Sequence, residues 1–179
     1  MTYIILFLII ISYIYFPKIH FHEIVIEELK ILNKQKKGKL QLLIFYLIPI
    51  LLGILCFFYI TENEISTFDK NIGNYVSIIS IFCGFLLNIS VFLDTILSKI
   101  IDRGKVKDKQ EMKEISREVN VIVNYTLLVG FIFLILCIIE IFFGVNKYIV
   151  VFIMTFGIHF FIGIMMVYRV IYILTRNTY

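Results

Sequence analysis

Residues 119–143 read VNVIVNYTLLVGFIFLILCIIEIFF and, after GVNK at 144–147, residues 148–168 read YIVVFIMTFGIHFFIGIMMVY. Each run is long enough to cross a hydrocarbon core about 30 Å thick, which takes roughly 20 helical residues. Glu140 is the one formal charge in the pair. Neither run alternates apolar and polar residues at period two, so a membrane barrel is excluded. In lipid every amide must bond within its own segment, which leaves helix as the backbone state. The short connection at Gly144 to Lys147 then makes the two runs an antiparallel hairpin.

Working outward, Ile72 to Leu97 and Leu40 to Ile60 have the same character. The fold class expected is therefore an all-α integral membrane bundle with four firm spans: 40–60, 72–97, 119–143 and 148–168. Pro49 should remove one backbone bond and kink the first of these, an event that membranes tolerate. Tyr3 to Phe16 is apolar but short and is followed by Pro17. It reads as a fifth, short membrane-crossing helix, with a helix lying in the interface as the alternative. It has no positive n-region or small-residue cleavage site, so it is expected to stay on the mature protein.

Composition agrees with this reading. Apolar residues make up 60% of the chain and charged ones only 17%, with a mean hydropathy of +0.95. A soluble domain of this size could not hide so many long apolar runs. The net charge of +4 does not point to nucleic acid, because the basic residues lie between apolar runs and not on one soluble face. Anionic lipid is the better partner. Cys56, Cys83 and Cys137 each lie deep in an apolar run, which indicates neither a disulfide framework nor a zinc site.

The connectors orient the chain. Lys18 to Lys39 holds six lysines against three glutamates, and Lys99 to Glu118 holds seven basic residues against five acidic ones. Thr61 to Asn71 carries Glu62, Glu64 and Asp69 against Lys70 alone. By the positive-inside rule, segments 17–39 and 98–118 and the tail 169–179 are expected to be cytoplasmic, and the acidic loop and the tight hairpin to face outward. Phe21, Val25, Leu29 and Leu32 recur at helical spacing, which predicts a short amphipathic helix ending near Asn33. Lys34, Lys36, Lys37 and Lys39 then form a basic collar suited to anionic headgroups, each contributing roughly 1 kcal/mol near the surface. Met112, Ile115, Val119 and Ile122 repeat likewise, so the 119–143 helix should begin outside the membrane and enter it without a break.

Polar residues inside the runs are costly, about 2.5 to 3.5 kcal/mol for an acid or base, and so should face protein or water. Asn88 and His159 fall at matched depth near the midplane. Ser77, Gly84, Asn88 and Thr95 form one stripe, and Thr155, His159 and Gly163 another. Such stripes allow close helix approach, here against each other or against a second copy, although Asn88 and His159 bonded locally as simple helix glue is the blander account. Nearer the cytoplasmic ends, Asp94 could pair with Arg169, with Asn120 and Asn124 one turn apart on the neighbouring helix; either member of the pair could instead snorkel to the headgroups. Glu140 sits near the outer interface, where solvation is the simplest account of it.

No catalytic constellation stands out. The runs lack Gly-x-Ser-x-Gly, His-Glu-x-x-His and depth-matched aspartates, and no phosphate-cradling loop occurs. Glu27 and Glu28 are adjacent but lack the arginine that follows in glutamate-type membrane proteases. His20, His22 and Glu23 point apart on a helix and make a poor metal site. The chain is thus expected to be non-enzymatic and to need no cofactor.

Three features carry a family resemblance: the lysine collar ahead of Pro49, the Gly84 to Asp94 stretch running into a charged segment, and a last span with His159-Phe160-Phe161, Met165, Met166 and Arg169. In these the chain resembles the small multi-span components of bacterial antiphage defence systems, such as the membrane partner of the Kiwa system. The resemblance implies an inner-membrane sensor or effector that assembles with itself and with a cytosolic protein. A small channel or transporter subunit lined by Asn88, His159 and Asp94 is the alternative, and a holin-like pore is a further one.

Overall fold

The structure is a computed structural model that describes residues 21–34, 43–102, 109–144 and 146–178. Among these the chain is helical: α1 (Phe21–Lys34), a π-helical turn (Leu43–Leu47) leading into α2 (Ile48–Tyr59), α3 (Glu62–Asp102), α4 (Lys109–Phe143) and α5 (Lys147–Thr178). The run 3–16 and the collar residues Lys36, Lys37 and Lys39 lie outside the described residues, as does the side chain of Lys34.

Three helical stretches are long and apolar enough to cross a membrane: Glu62–Phe92, Ser116–Phe143 and Lys147–Tyr172. The fourth run expected to span is represented by a shorter apolar stretch, Leu43–Tyr59. At 1.5 Å per residue it covers about 25 Å, short of a full hydrocarbon core. Pro49 explains its form. A proline ring clashes with the carbonyl four residues back, here that of Phe45, and cannot return a hydrogen bond to it. The chain meets this with the wider π turn over Leu43–Leu47, so that Pro49 falls in the first turn of α2. The expected kink is thus a change of helix type.

The segment Thr61 to Asn71, expected as an acidic loop, is instead the cap and opening turns of α3. Thr61 N donates to Glu64 Oε2 at 2.7 Å, and Glu64 N donates to Thr61 Oγ1 at 3.4 Å. This reciprocal capping box satisfies two of the amides that a helix start leaves open. At the other tight connection α4 stops at Phe143, Gly144 takes φ 83, and Asn146 Oδ1 accepts from Tyr148 N at 3.0 Å. The positive φ is the left-handed conformation that a terminating glycine supplies.

The core is centred on α4, which packs against α1, α3 and α5, while α2 packs against α5. From α4, Val119, Ile122, Val123, Phe133 and Cys137 are buried against Ile79, Cys83 and Leu86 of α3 and Ile153 and Phe160 of α5. Close approach depends on glycine at three positions. A Cβ on Gly163 would lie 2.6 Å from Thr126 Oγ1, one on Gly130 would lie 2.7 Å from Cys83 Sγ, and one on Gly53 would run into Thr155 Oγ1. The opposite faces leave Phe58, Ile81, Phe85, Val91, Phe92, Phe142 and Met165 exposed, a surface that suits lipid and not water.

Candidate functional site

At the α1 end of the bundle, four elements converge on a connected polar cluster. It begins with Glu28, whose side chain is 0% exposed although it belongs to the amphipathic helix α1. The apolar pattern placed Val25 and Leu29 on the inward face. The helix is rotated from that expectation: Leu29 is exposed, and Ile24, Val25 and Glu28 turn toward the bundle. Glu28 turns inward because a donor waits there. Tyr46, on the π turn, donates its hydroxyl to Glu28 Oε2 at 2.5 Å. The second carboxyl oxygen, Oε1, is buried with no hydrogen-bond partner among the described residues. Burial pushes the Glu28 carboxyl up to about 7, against the opposing pull of the Tyr46 bond.

Deeper in, Tyr125 of α4 and His159 of α5 meet, with Tyr125 Oη 3.0 Å from His159 Nε2. The Tyr125 hydroxyl is also within reach of Tyr46, whose ring stands 6.3 Å away at a steep angle. Phe45 seals the group. It is 1% exposed, its ring sits 4.5 Å from His159 edge-on, and it lies 5.6 Å from Tyr125. Aromatic bodies therefore exclude water while the polar tips of Tyr46 and Tyr125 find partners, the usual condition for burying tyrosine. Next to Glu28, Glu27 forms an ion pair with Arg117 of α4 at the surface, which pins α1 a second time.

The polar and small residues singled out in the sequence divide into two groups. His159, Thr155 and Gly163 lie inside the bundle, where Thr155 faces Gly53, Gly163 faces Thr126 and His159 meets Tyr125. Ser77, Gly84 and Asn88 are exposed on α3, and a Cβ on Gly84 would meet nothing within 4 Å. The hydroxyls of Ser77 and Thr95 bond back to the carbonyls of Gly73 and Val91 on their own helix. The two stripes therefore do not face each other within one chain. Asn124 and Arg169 are exposed as well, while the Asp94 side chain lies outside what the structure describes, and with it the proposed Asp94–Arg169 pair.

Glu140 is 1% exposed, so it is enclosed by protein and not solvated. Its Oε1 accepts from Asn146 N at 3.3 Å, which ties the end of α4 to the hairpin, and its Oε2 is buried without a hydrogen-bond partner among the described residues. Sequence reasoning passed over Glu28, Tyr46 and Tyr125. The signal was available in two tyrosines inside apolar runs, whose hydroxyls each need a partner in lipid or core. Comparison of the chain with protein-family models, with curated proteins and with solved structures finds no match.

Proposed function

We propose that the chain is a non-enzymatic sensor or effector module of the bacterial inner membrane, in which α1 is the signal-receiving element on the cytoplasmic side. One observation carries the reading: an amphipathic helix outside the spans sends a buried carboxylate, Glu28, to a hydroxyl at the head of α2, with Tyr125 and His159 of two spans behind it. A helix that merely lay on the headgroups would keep its glutamates in water. Docked this way, α1 cannot leave the bundle without breaking the Tyr46 bond and withdrawing Ile24 and Val25 from the core, so its position and the packing of the spans are coupled. The basic segments on the same side suit anionic lipid and a cytosolic protein partner, and the exposed Ser77, Gly84 and Asn88 face of α3 suits a second copy of the chain. A role in antiphage defence belongs to the same proposal, through the resemblance described above.

A pore lined by Asn88 and His159 together is less well supported, since Asn88 is exposed on α3 while His159 is engaged by Tyr125 inside the bundle. The test is thiol labelling in intact cells, in a background with the native cysteines replaced and a single cysteine at Ile24. Ile24 packs against the core when α1 is docked. The expected result is slow labelling by a permeant reagent, none by an impermeant one added outside, and fast permeant labelling on phage challenge or depolarisation. Labelling from outside would reverse the orientation, and labelling unchanged by every stimulus would remove α1 as the receiver. A membrane-potential dye, read with and without the partner protein, then separates sensor from effector.

A further inference from the structure

We propose that Glu28, Tyr46, Tyr125 and His159 form a proton-transfer chain, in which a proton bound by Glu28 at the α1 end is exchanged with the His159 imidazole inside the bundle. This is a claim about the ligand of the site, a proton, and it holds whether or not α1 receives a signal.

The geometry supplies the two end links and sets the two phenols side by side. Tyr46 Oη and Glu28 Oε2 are 2.5 Å apart, Tyr125 Oη and His159 Nε2 are 3.0 Å apart, and the Tyr46 and Tyr125 rings stand 6.3 Å apart between them. A hydroxyl both donates and accepts, and an imidazole has one nitrogen for each role, so every member can take a proton on one side and release one on the other. Phe45 keeps water from short-circuiting the row. A purely structural network would satisfy all its atoms. This one keeps a carboxyl oxygen, Glu28 Oε1, buried and unpartnered among the described residues, a costly arrangement for a permanent carboxylate.

The transfer balances without any other reactant. With a proton on Glu28 and His159 neutral with its proton on Nδ1, Glu28 donates to Tyr46, Tyr46 to Tyr125, and Tyr125 to His159 Nε2. Moving each proton one step along its bond leaves Glu28 ionised and His159 protonated on both nitrogens. Both tyrosines remain phenols with their O–H bonds reversed. Rotation of the two hydroxyls restores the starting direction. Tyr46 on the π turn and Tyr125 on α4 are the groups that act on Glu28. Arg117 is already engaged by Glu27. The Glu28 carboxyl, pushed by burial up to about 7, changes its protonation near neutral pH.

The full chain in lipid nanodiscs, with ¹⁵N-labelled histidine, tests this. Replacing His20 and His22 by asparagine leaves the His159 signals alone, and infrared spectra of the native and Glu28→Gln chains identify the Glu28 carboxyl band. Lowering the pH from about 8 to about 6 should bring in that band and shift the His159 nitrogens at the same midpoint. In Tyr46→Phe and Tyr125→Phe, which keep the rings, the carboxyl band should still titrate while the matching His159 shift is lost. A His159 that ignores the Glu28 titration in the native chain overturns the proposal, as does one that responds equally in both phenylalanine variants. If neither variant folds, Glu28→Gln decides: a His159 shift surviving at the native midpoint overturns it too.

Discussion

Tyr46 and Glu28 are joined across a helix boundary: a phenol at the head of the α2 stretch donates to a carboxylate on α1 that is 0% exposed, at 2.5 Å. Burial of that carboxyl makes the docking of α1 a protonation-dependent equilibrium. Docked, Glu28 titrates at about 7; released into water, it returns to the ordinary 4.5. The docked state thus holds more protons between those two values. Docking is strongest below about 4.5, weakens as pH rises by at most about tenfold per unit, and levels off above about 7. A nitroxide at the exposed Lys30 should be immobile at low pH and gain a mobile component as pH rises from 4.5 to about 7. Glu28→Gln should hold the spectrum constant, and a spectrum of the native chain that ignores pH would contradict the assignment.

The second tie of α1, Glu27 to Arg117, is of a different kind. Its members lie partly in solvent, so it contributes less than about 1 kcal/mol and is screened by salt. Arg117→Ala should shift the same nitroxide equilibrium only slightly at low ionic strength and not at all in high salt. Tyr46→Phe removes a donor from a buried carboxyl and should shift it several-fold more at any salt concentration. Equal effects from the two substitutions would place the strength of the latch at the surface pair.

The long apolar runs were legible because lipid imposes helix on them, and the course of α3, α4 and α5 through 72–97, 119–143 and 148–168 follows from that alone. What escaped was set by single atoms. The Thr61 to Glu64 cap carries a sequence signature, T-x-x-E, that extends α3 back to Glu62, yet the acids around it read as loop. The facing of α1 was misjudged because apolar periodicity scores Leu29 as inward and Glu28 as outward. That preference reverses once a buried hydroxyl offers the carboxylate a bond, and the offer comes from Tyr46, across a turn whose geometry Pro49 imposes. His159 was recognised by its cost in lipid, but its partner Tyr125 was hidden among aromatics that lipid tolerates equally well.

Glu140 closes the hairpin end. Its Oε1 holds Asn146 N, and its Oε2 has no hydrogen-bond partner among the described residues. Glu140→Gln keeps the accepting oxygen and removes the need to enclose a charge, so stability in detergent should hold or rise. Glu140→Ala loses the bond to the hairpin and leaves a cavity, at a cost of about 2 kcal/mol or more. Thermal aggregation of the purified chain separates the two, and a glutamine variant as weak as the alanine one would mean that the carboxylate itself is engaged.

Gly163 and Gly84 look alike in the sequence, each a small residue on a polar stripe, yet the bundle treats them differently. An added methyl at Gly163 meets Thr126 Oγ1 at 2.6 Å and its Cγ2 at 2.8 Å, both on a side chain whose hydroxyl is bonded to Ile122 O at 2.8 Å. That side chain cannot swing aside without breaking its bond, so Gly163→Ala should destabilise the chain by roughly 1 to 3 kcal/mol, read from its unfolding midpoint in mixed micelles with SDS. At Gly84 the same methyl meets nothing. Within a single chain Gly84→Ala should be neutral or gain up to about 1 kcal/mol from helix propensity. If it lowers stability only at protein concentrations where the chain self-associates, the contact it disturbs belongs to a second copy. A loss at every dilution would instead mean that α3 packs against its own bundle on the face that carries Asn88.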